Sequence, residues 1–272
     1  MRIAVIVTTY NRPDALAAVL EGYLSQSDRN FEVLVADDGS KDDTTAVVKE
    51  FQARATFPIH HVWQEDIGFR AAAIRNRAIA ATDAEYIVLT DGDCVPPHDF
   101  VASQRALAEP GWFLSGNRLL LSAGFTEQVL CEKLPIHLWG MREWLSAYKQ
   151  GHIERVLPLL KRLPLGPLRK LTPQRWKGAK TCNLSAWRSD LLRVNGLDES
   201  YTGWGLEDSD LVIRLLRAGV RHKSARFAEP VLHLWHKEPD RSNLVENQQR
   251  LEAALAATHI RAELGVDQYL AK

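Results

Sequence analysis

Four short apolar runs recur through the first hundred residues, and each leads through a polar loop into a stretch with helical spacing. The first, Ile3-Ala4-Val5-Ile6-Val7, is continuous and rich in β-branched residues, the pattern of a strand buried on both faces of a parallel sheet. The others are residues 31–36, 59–62 and 86–89. The first helix is expected to start near Pro13, capped by Asn11, with Leu16, Val19, Leu20, Tyr23 and Leu24 as its buried stripe. Ser40 and Asp43 are expected to form a capping box for a second helix through Val47, Val48 and Phe51. Further helices are expected over 70–81 and 97–107. The alternation βαβαβαβα predicts an α/β fold with a mostly parallel sheet flanked by helices, in which ligands meet the loops beyond the carboxyl ends of the strands.

At 272 residues, 46% apolar and 25% charged, the chain can bury a substantial core, as one domain or one domain with an appended half. Its formal net charge is zero, so nucleic acid is not expected as a partner. Cys94, Cys131 and Cys182 are too scattered for a disulfide framework or a C-x-x-C zinc site and suit a reducing cytoplasm. No signal peptide or membrane-spanning run is expected, and the chain reads as cytoplasmic.

Three of the strand-end loops concentrate polar residues: 8–11, 37–40 and 91–93. Neither a G-x-G-x-x-G nor a G-x-x-x-x-G-K-[ST] cradle is present, so phosphate would be handled by metal and arginine. Asp91-Gly92-Asp93 offers two carboxylates that can share a divalent cation, with a glycine that allows close approach. The bland alternative is a strand-ending turn. Arg70 and Arg75 could face a diphosphate or lie on a solvated helix face, and Arg77 reads as surface.

In the second half, Gly203-Trp204-Gly205 presents a flat aromatic face suited to a sugar ring, beside Glu207, Asp208 and Asp210 in the first turn of a helix. His233 and His236 follow another apolar run and can lie on one side of a turn as metal ligands. Residues 141–180 carry ten Lys or Arg against two acids. Interleaved with Trp144, Tyr148, Ile153 and several leucines, they read either as a basic amphipathic insertion able to sit on anionic lipid or an acidic acceptor, or as a solvated basic face. A C-terminal helical tail, 241–272, has apolar spacing at Leu244, Leu251, Ala254 and Leu255 and is read as covering the core.

The runs V-I-V-T-T-Y-N-R-P, V-A-D-D-G-S-K-D-D-T, R-x-x-x-x-R-N-R-A and Y-I-V-L-T-D-G-D-C-V-P together resemble the nucleotide-sugar half of family 2 glycosyltransferases of the GT-A fold. The stretch 195–210 resembles the acceptor-side motif of galactosyltransferases and chondroitin-polymerase-like enzymes. The resemblance implies a donor-binding half over 1–110 and an acceptor-binding half over 111–240, in one continuous domain, with the basic insertion outside it. It further implies that Thr8 and Tyr10 pack on a uracil, that Asp38 accepts its N3 proton, and that Arg70 contacts the nucleotide. Asp91 would touch the ribose or a metal-bound water, and Asp93 with His236, or with His233 as second choice, would hold Mn2+ or Mg2+. Asp208 would be the general base of an inverting transfer, with Trp204 and Glu207 binding the acceptor. The implied activity moves a hexose or N-acetylhexosamine from a UDP-sugar to a glycan or glycolipid, and the basic stretch points to a membrane-linked acceptor of lipopolysaccharide or capsule type, met at the inner face of the cytoplasmic membrane. A sugar nucleotidyltransferase and a non-catalytic glycan binder on the same fold are the alternatives.

Overall fold

The computed structural model describes residues 1–159, 165–228, 230–237 and 240–270. Leu160, Lys161, Arg162, Leu163 and Pro164 of the basic stretch lie outside the described residues. A seven-stranded sheet forms the centre. Strands β1 (Ile3–Thr9), β2 (Phe31–Asp37), β3 (Ile59–Trp63) and β4 (Tyr86–Asp91) run parallel in the order β3-β2-β1-β4. The sheet is mixed beyond β4. It includes β6 (Trp112–Ser115), β8 (Leu184–Trp187) and β9 (Arg221–Ser224), and β8 runs antiparallel to both β4 and β6. The central strands β1 and β4 are buried on both faces, which is why their sequences do not alternate.

Helices α1 (Pro13–Leu24), α2 (Asp42–Arg54), α3 (Ala71–Ala80) and α4 (Phe100–Leu107) follow β1 to β4 as the alternation predicts, with the two-residue strand β5 (Cys94–Val95) ahead of α4. Pro13 opens α1, and Leu16, Val19, Leu20 and Tyr23 are buried. The two cap expectations fail, for one reason. Asn11 takes a left-handed backbone (φ 48°), so Arg12 occupies the cap position without a side-chain cap bond. Ser40 likewise stands one residue before the Lys41 cap of α2. Instead the two loops hold each other: Asn11 N donates to Ser40 Oγ at 2.8 Å, and Lys41 N donates to Asn11 Oδ1 at 3.1 Å. Arg77 is not plain surface, since its guanidinium lies over the Tyr269 ring at 4.6 Å.

A second sheet of three short strands, β5-β10-β7, forms from β5, β7 (Arg118–Leu120) and β10 (Val231–His233). Its register sets His233 opposite Cys94, immediately beyond the Asp91-Gly92-Asp93 turn. The remaining helices are α5 (Ala123–Glu132), α6 (Met141–Lys149), α7 (Arg188–Arg193), α8 (Glu207–Arg217) and α9 (Leu244–Ala256). No described helix is long and apolar enough to cross a membrane.

Buried polar bonds fasten α8 and the loop before it to the donor-side helix α3. Asn76 donates to Leu197 O (2.8 Å) and accepts from Leu197 N (2.9 Å), while Arg214, fully buried, pairs with Asp210 and donates to Val194 O and Gly196 O. Gly196 has φ +65°, and a Cβ there would stand 2.2 Å from Asn76 Oδ1. Gly196→Ala is therefore expected to lower stability by roughly 3 kcal/mol, combining left-handed strain with a broken buried hydrogen bond. Urea unfolding measures it.

Candidate active site

The loops after β1, β2 and β4, the second sheet and the start of α8 enclose one cleft of about 890 Å³. Of the residues singled out in the sequence, Thr8, Tyr10, Asp38, Asp91, Asp93, Trp204, Glu207, Asp208, His233 and His236 all line it. Arg70 does not. Its guanidinium donates to Glu65 O at 2.8 Å, and it reaches the site only through its backbone N–H, 2.8 Å from Asp38 Oδ2.

At the nucleotide end, Asp37 is consumed by structure. Burial works against its charge, but bonds from His61 and Ser40 hold its carboxyl below the usual range and fix the turn. Asp38 is buried and its pKa is raised by that burial. Gln64 Nε2 and Arg70 N each bond one of its oxygens, leaving a lone pair on each oxygen for a ligand donor. Tyr10 is 47% exposed and is steadied by its hydroxyl, which donates to Asp66 at 2.9 Å.

At the other end, β10 delivers two imidazoles to Asp93. His236 Nε2 lies 3.3 Å from Asp93 Oδ2, and His233 Nε2 lies 3.7 Å from Oδ1. Burial pushes the His233 pKa down to about 4, so its ring is neutral at neutral pH. His236 Nδ1 is 2.8 Å from Lys237 O. A carbonyl only accepts, so Nδ1 carries a proton and Nε2 is the ring nitrogen that faces the carboxylate. A carboxylate with two imidazoles is a donor set that suits a divalent transition metal.

Between the two ends stands Arg75, 5% exposed. It is not a solvated side chain, and it lines the cleft. Nε donates to Thr8 Oγ1 (2.9 Å), Nη1 to Glu207 Oε1 (3.1 Å) and Nη2 to Asp91 Oδ1 (3.0 Å). The R-N dipeptide placed it in the right helix, but its role rests on partners up to 132 residues away, which no local pattern reveals.

The lead-in to α8 is tightly wound: Gly203, Gly205 and Leu206 all have positive φ, and Leu206, at +77°, is strained for a side chain of its kind. This conformation delivers Glu207 and Asp208 into the cleft. The Asp208 pKa is pushed up to about 7, first by burial and then by the neighbouring Glu207 carboxylate, with Arg75 and Lys180 opposing. One face of Trp204 is covered by the Arg241 guanidinium, 5.1 Å from the ring centroid, so at most the opposite face is open to a sugar.

The C-terminal helix does more than cover the core. Asn247 Nδ2 donates to Thr202 O and Gly205 O, and Asn243 Nδ2 to Thr202 O, bracing the Gly-Trp-Gly loop. Leu251 and Ala254 are buried as expected, whereas Leu255 is exposed. The basic stretch also departs from a uniform amphipathic surface. Trp144, Ile153 and Leu159 join the main core, Arg169 donates to Ser224 O and Arg226 O, and Lys170 pairs with Glu109. Residues 151–154 within it, and 178–182 at its C-terminal end, line the cleft.

The fold is that of GT-A glycosyltransferases, as two solved structures show. S. aureus TarS 1–349 in complex with UDP superposes with a TM-score of 0.61 at 14% identity, over 99% of this chain and 68% of that one. Mannosyltransferase PcManGT from Pyrobaculum calidifontis, in complex with GDP-Man and Mn2+, gives 0.61 at 19% identity, over 94% and 63%. The chain belongs to glycosyl transferase family 2, whose model matches residues 4–153, and residues 170–237 match the model described as the N-terminal domain of galactosyltransferase. Most of the basic stretch thus falls inside the matched regions, and only residues 154–169 lie between them. Chondroitin synthase of Escherichia coli is 25% identical over 87% of this chain and 35% of its own length. Validoxylamine A glucosyltransferase of Streptomyces hygroscopicus subsp. limoneus is 31% identical over 80% and 48%. The chain spans about a third to a half of these relatives' lengths.

Proposed function

We propose that the protein transfers a hexose or N-acetylhexosamine from a UDP-sugar to a hydroxyl of a glycan or glycolipid, with inversion at the anomeric carbon. The observation that carries the reading is that Asp208, with a pKa near neutrality, shares one cleft with Asp38 and with the Asp93–His233–His236 cluster. Asp38 and Tyr10 bind the uridine. Asp93, His236 and His233 hold Mn2+ or Mg2+, which when bound supplies positive charge against the diphosphate of the leaving group. Asp208 takes the proton from the acceptor hydroxyl as that oxygen attacks, and Glu207 and the open face of Trp204 orient the acceptor. The solved complexes of TarS with UDP and UDP-GlcNAc, and of PcManGT with Mn2+, support this choice of donor and metal.

We place the acceptor on a membrane-linked glycan of lipopolysaccharide or capsule type, handled at the inner face of the cytoplasmic membrane. In support, α6 exposes Met141, Leu145 and Tyr148 beside Arg142 and Lys149, and the residues that follow it line the cleft. A single displacement from an α-linked UDP-sugar must give a β-linked product. Proton NMR of the product of a UDP-hexose and UDP-N-acetylhexosamine screen is expected to show the β-anomer; an α-linked product refutes the inverting assignment of Asp208.

A further inference from the structure

Arg75 joins three parts of the chain that are far apart in sequence: Thr8 at the end of β1, Asp91 at the end of β4, and Glu207 at the start of α8. Each guanidinium nitrogen has one partner, and the group is shielded from water. A planar fork can serve three acceptors around its rim in this way, and a lysine ammonium cannot reproduce it. Without the cation, Asp91 and Glu207 would be two carboxylates converging on one partly buried point. The residue next to it, Asn76, fastens the loop at Leu197, so both halves of the cleft are tied to one turn of α3.

We propose that Arg75 is a positioning residue: its guanidinium bridges the aspartate turn after β4 to the first turn of α8 and so sets where Asp208 stands relative to the bound nucleotide-sugar. The inference rests on the transferase reading above. The Arg75 guanidinium bonds Thr8, Asp91 and Glu207 rather than Asp208 or the Asp93–His233–His236 cluster, and it acts through Asp91 and Glu207. The bridge also bears on the charge of the base. The charged groups facing Asp208 are Glu207 on its own helix, which favours the protonated form, and Arg75 from α3 and Lys180 from the loop before β8, which favour the carboxylate. Loss of Arg75 and loss of the Glu207 charge should therefore move the titration of the base in opposite directions, which a scaffold residue would not do.

The test uses the full chain, with wild-type transfer from a UDP-sugar established first; a wild type without transfer refutes the transferase reading rather than the bridge. Arg75→Lys, folded by circular dichroism, is expected to lose about 100-fold in kcat, the scale of a misplacement of about 1 Å, while its affinity for UDP stays within about threefold of wild type. In Arg75→Gln the pH limb of kcat/KM is expected to rise by about half a unit or more, and in Glu207→Gln to fall. Wild-type kcat in Arg75→Lys, an equal loss of kcat and UDP affinity, or pH limbs that stay in place each overturn the proposal. So does an Arg75→Lys chain that cannot fold, because the guanidinium would then serve the fold and not the site. If Arg75→Gln alone does not fold, the pH arm is read from Glu207→Gln, where a limb that stays or rises is the contrary result.

Discussion

Asp208→Asn is expected to lower kcat by about 1000-fold with little change in the KM for the UDP-sugar, because removing a positioned general base costs 10²–10⁴. In free energy this is about 4 kcal/mol of transition-state stabilisation. Asparagine keeps the shape and can still accept a hydrogen bond, but it cannot take a proton at neutral pH, so the loss falls on the chemical step. The wild-type pH profile gives an independent sign. The carboxylate is the active form of a base, and burial with the Glu207 charge pushes the Asp208 pKa up to about 7. kcat/KM should therefore climb with pH through about 7 and level off above it, and the residual activity of Asp208→Asn should lack that limb. Steady-state rates from pH 5.5 to 9 check both points.

The second large effect concerns the cluster at the other end of the cleft. Asp93 meets His236 and His233 because β10 pairs with β5, which puts the imidazoles beside the turn that follows β4. His236→Ala is expected to raise the Mn2+ concentration needed for half-maximal activity at least tenfold, as is usual when part of a metal's protein shell is removed. Chelation by EDTA should abolish transfer reversibly. His233→Ala should weaken metal binding and also open a gap at a buried position, so its effect should include a loss of stability that His236→Ala lacks.

The parallel core was legible because β1 and β4 are buried on both faces and advertise it as continuous apolar runs. The polar loops after β1, β2 and β4 pointed to the cleft for the same topological reason. What stayed hidden depended on contacts between distant segments. That Arg75 bridges two acids was hidden until Asp91 and Glu207 were seen beside it. Asn243 and Asn247 lie in a polar stretch of the tail with no motif, yet they brace the Gly-Trp-Gly loop. The cap predictions for Asn11 and Ser40 failed because these polar side chains found partners in the neighbouring loop rather than in their own helix. Trp144 shows the converse: in a basic stretch it looks like part of a membrane face, and the fold buries it against Trp139.

The most direct test of the central claim is calorimetric titration of UDP into the wild type and into Asp93→Ala, each with Mn2+ and with EDTA. The wild type is expected to bind UDP with an affinity that Mn2+ strengthens at least tenfold, and the Asp93→Ala protein to bind UDP equally weakly in both conditions. Equal wild-type affinity with Mn2+ and with EDTA would contradict the assignment of Asp93, His233 and His236 to a metal, and absence of UDP binding in either condition would contradict the assignment of the cleft to a UDP-sugar.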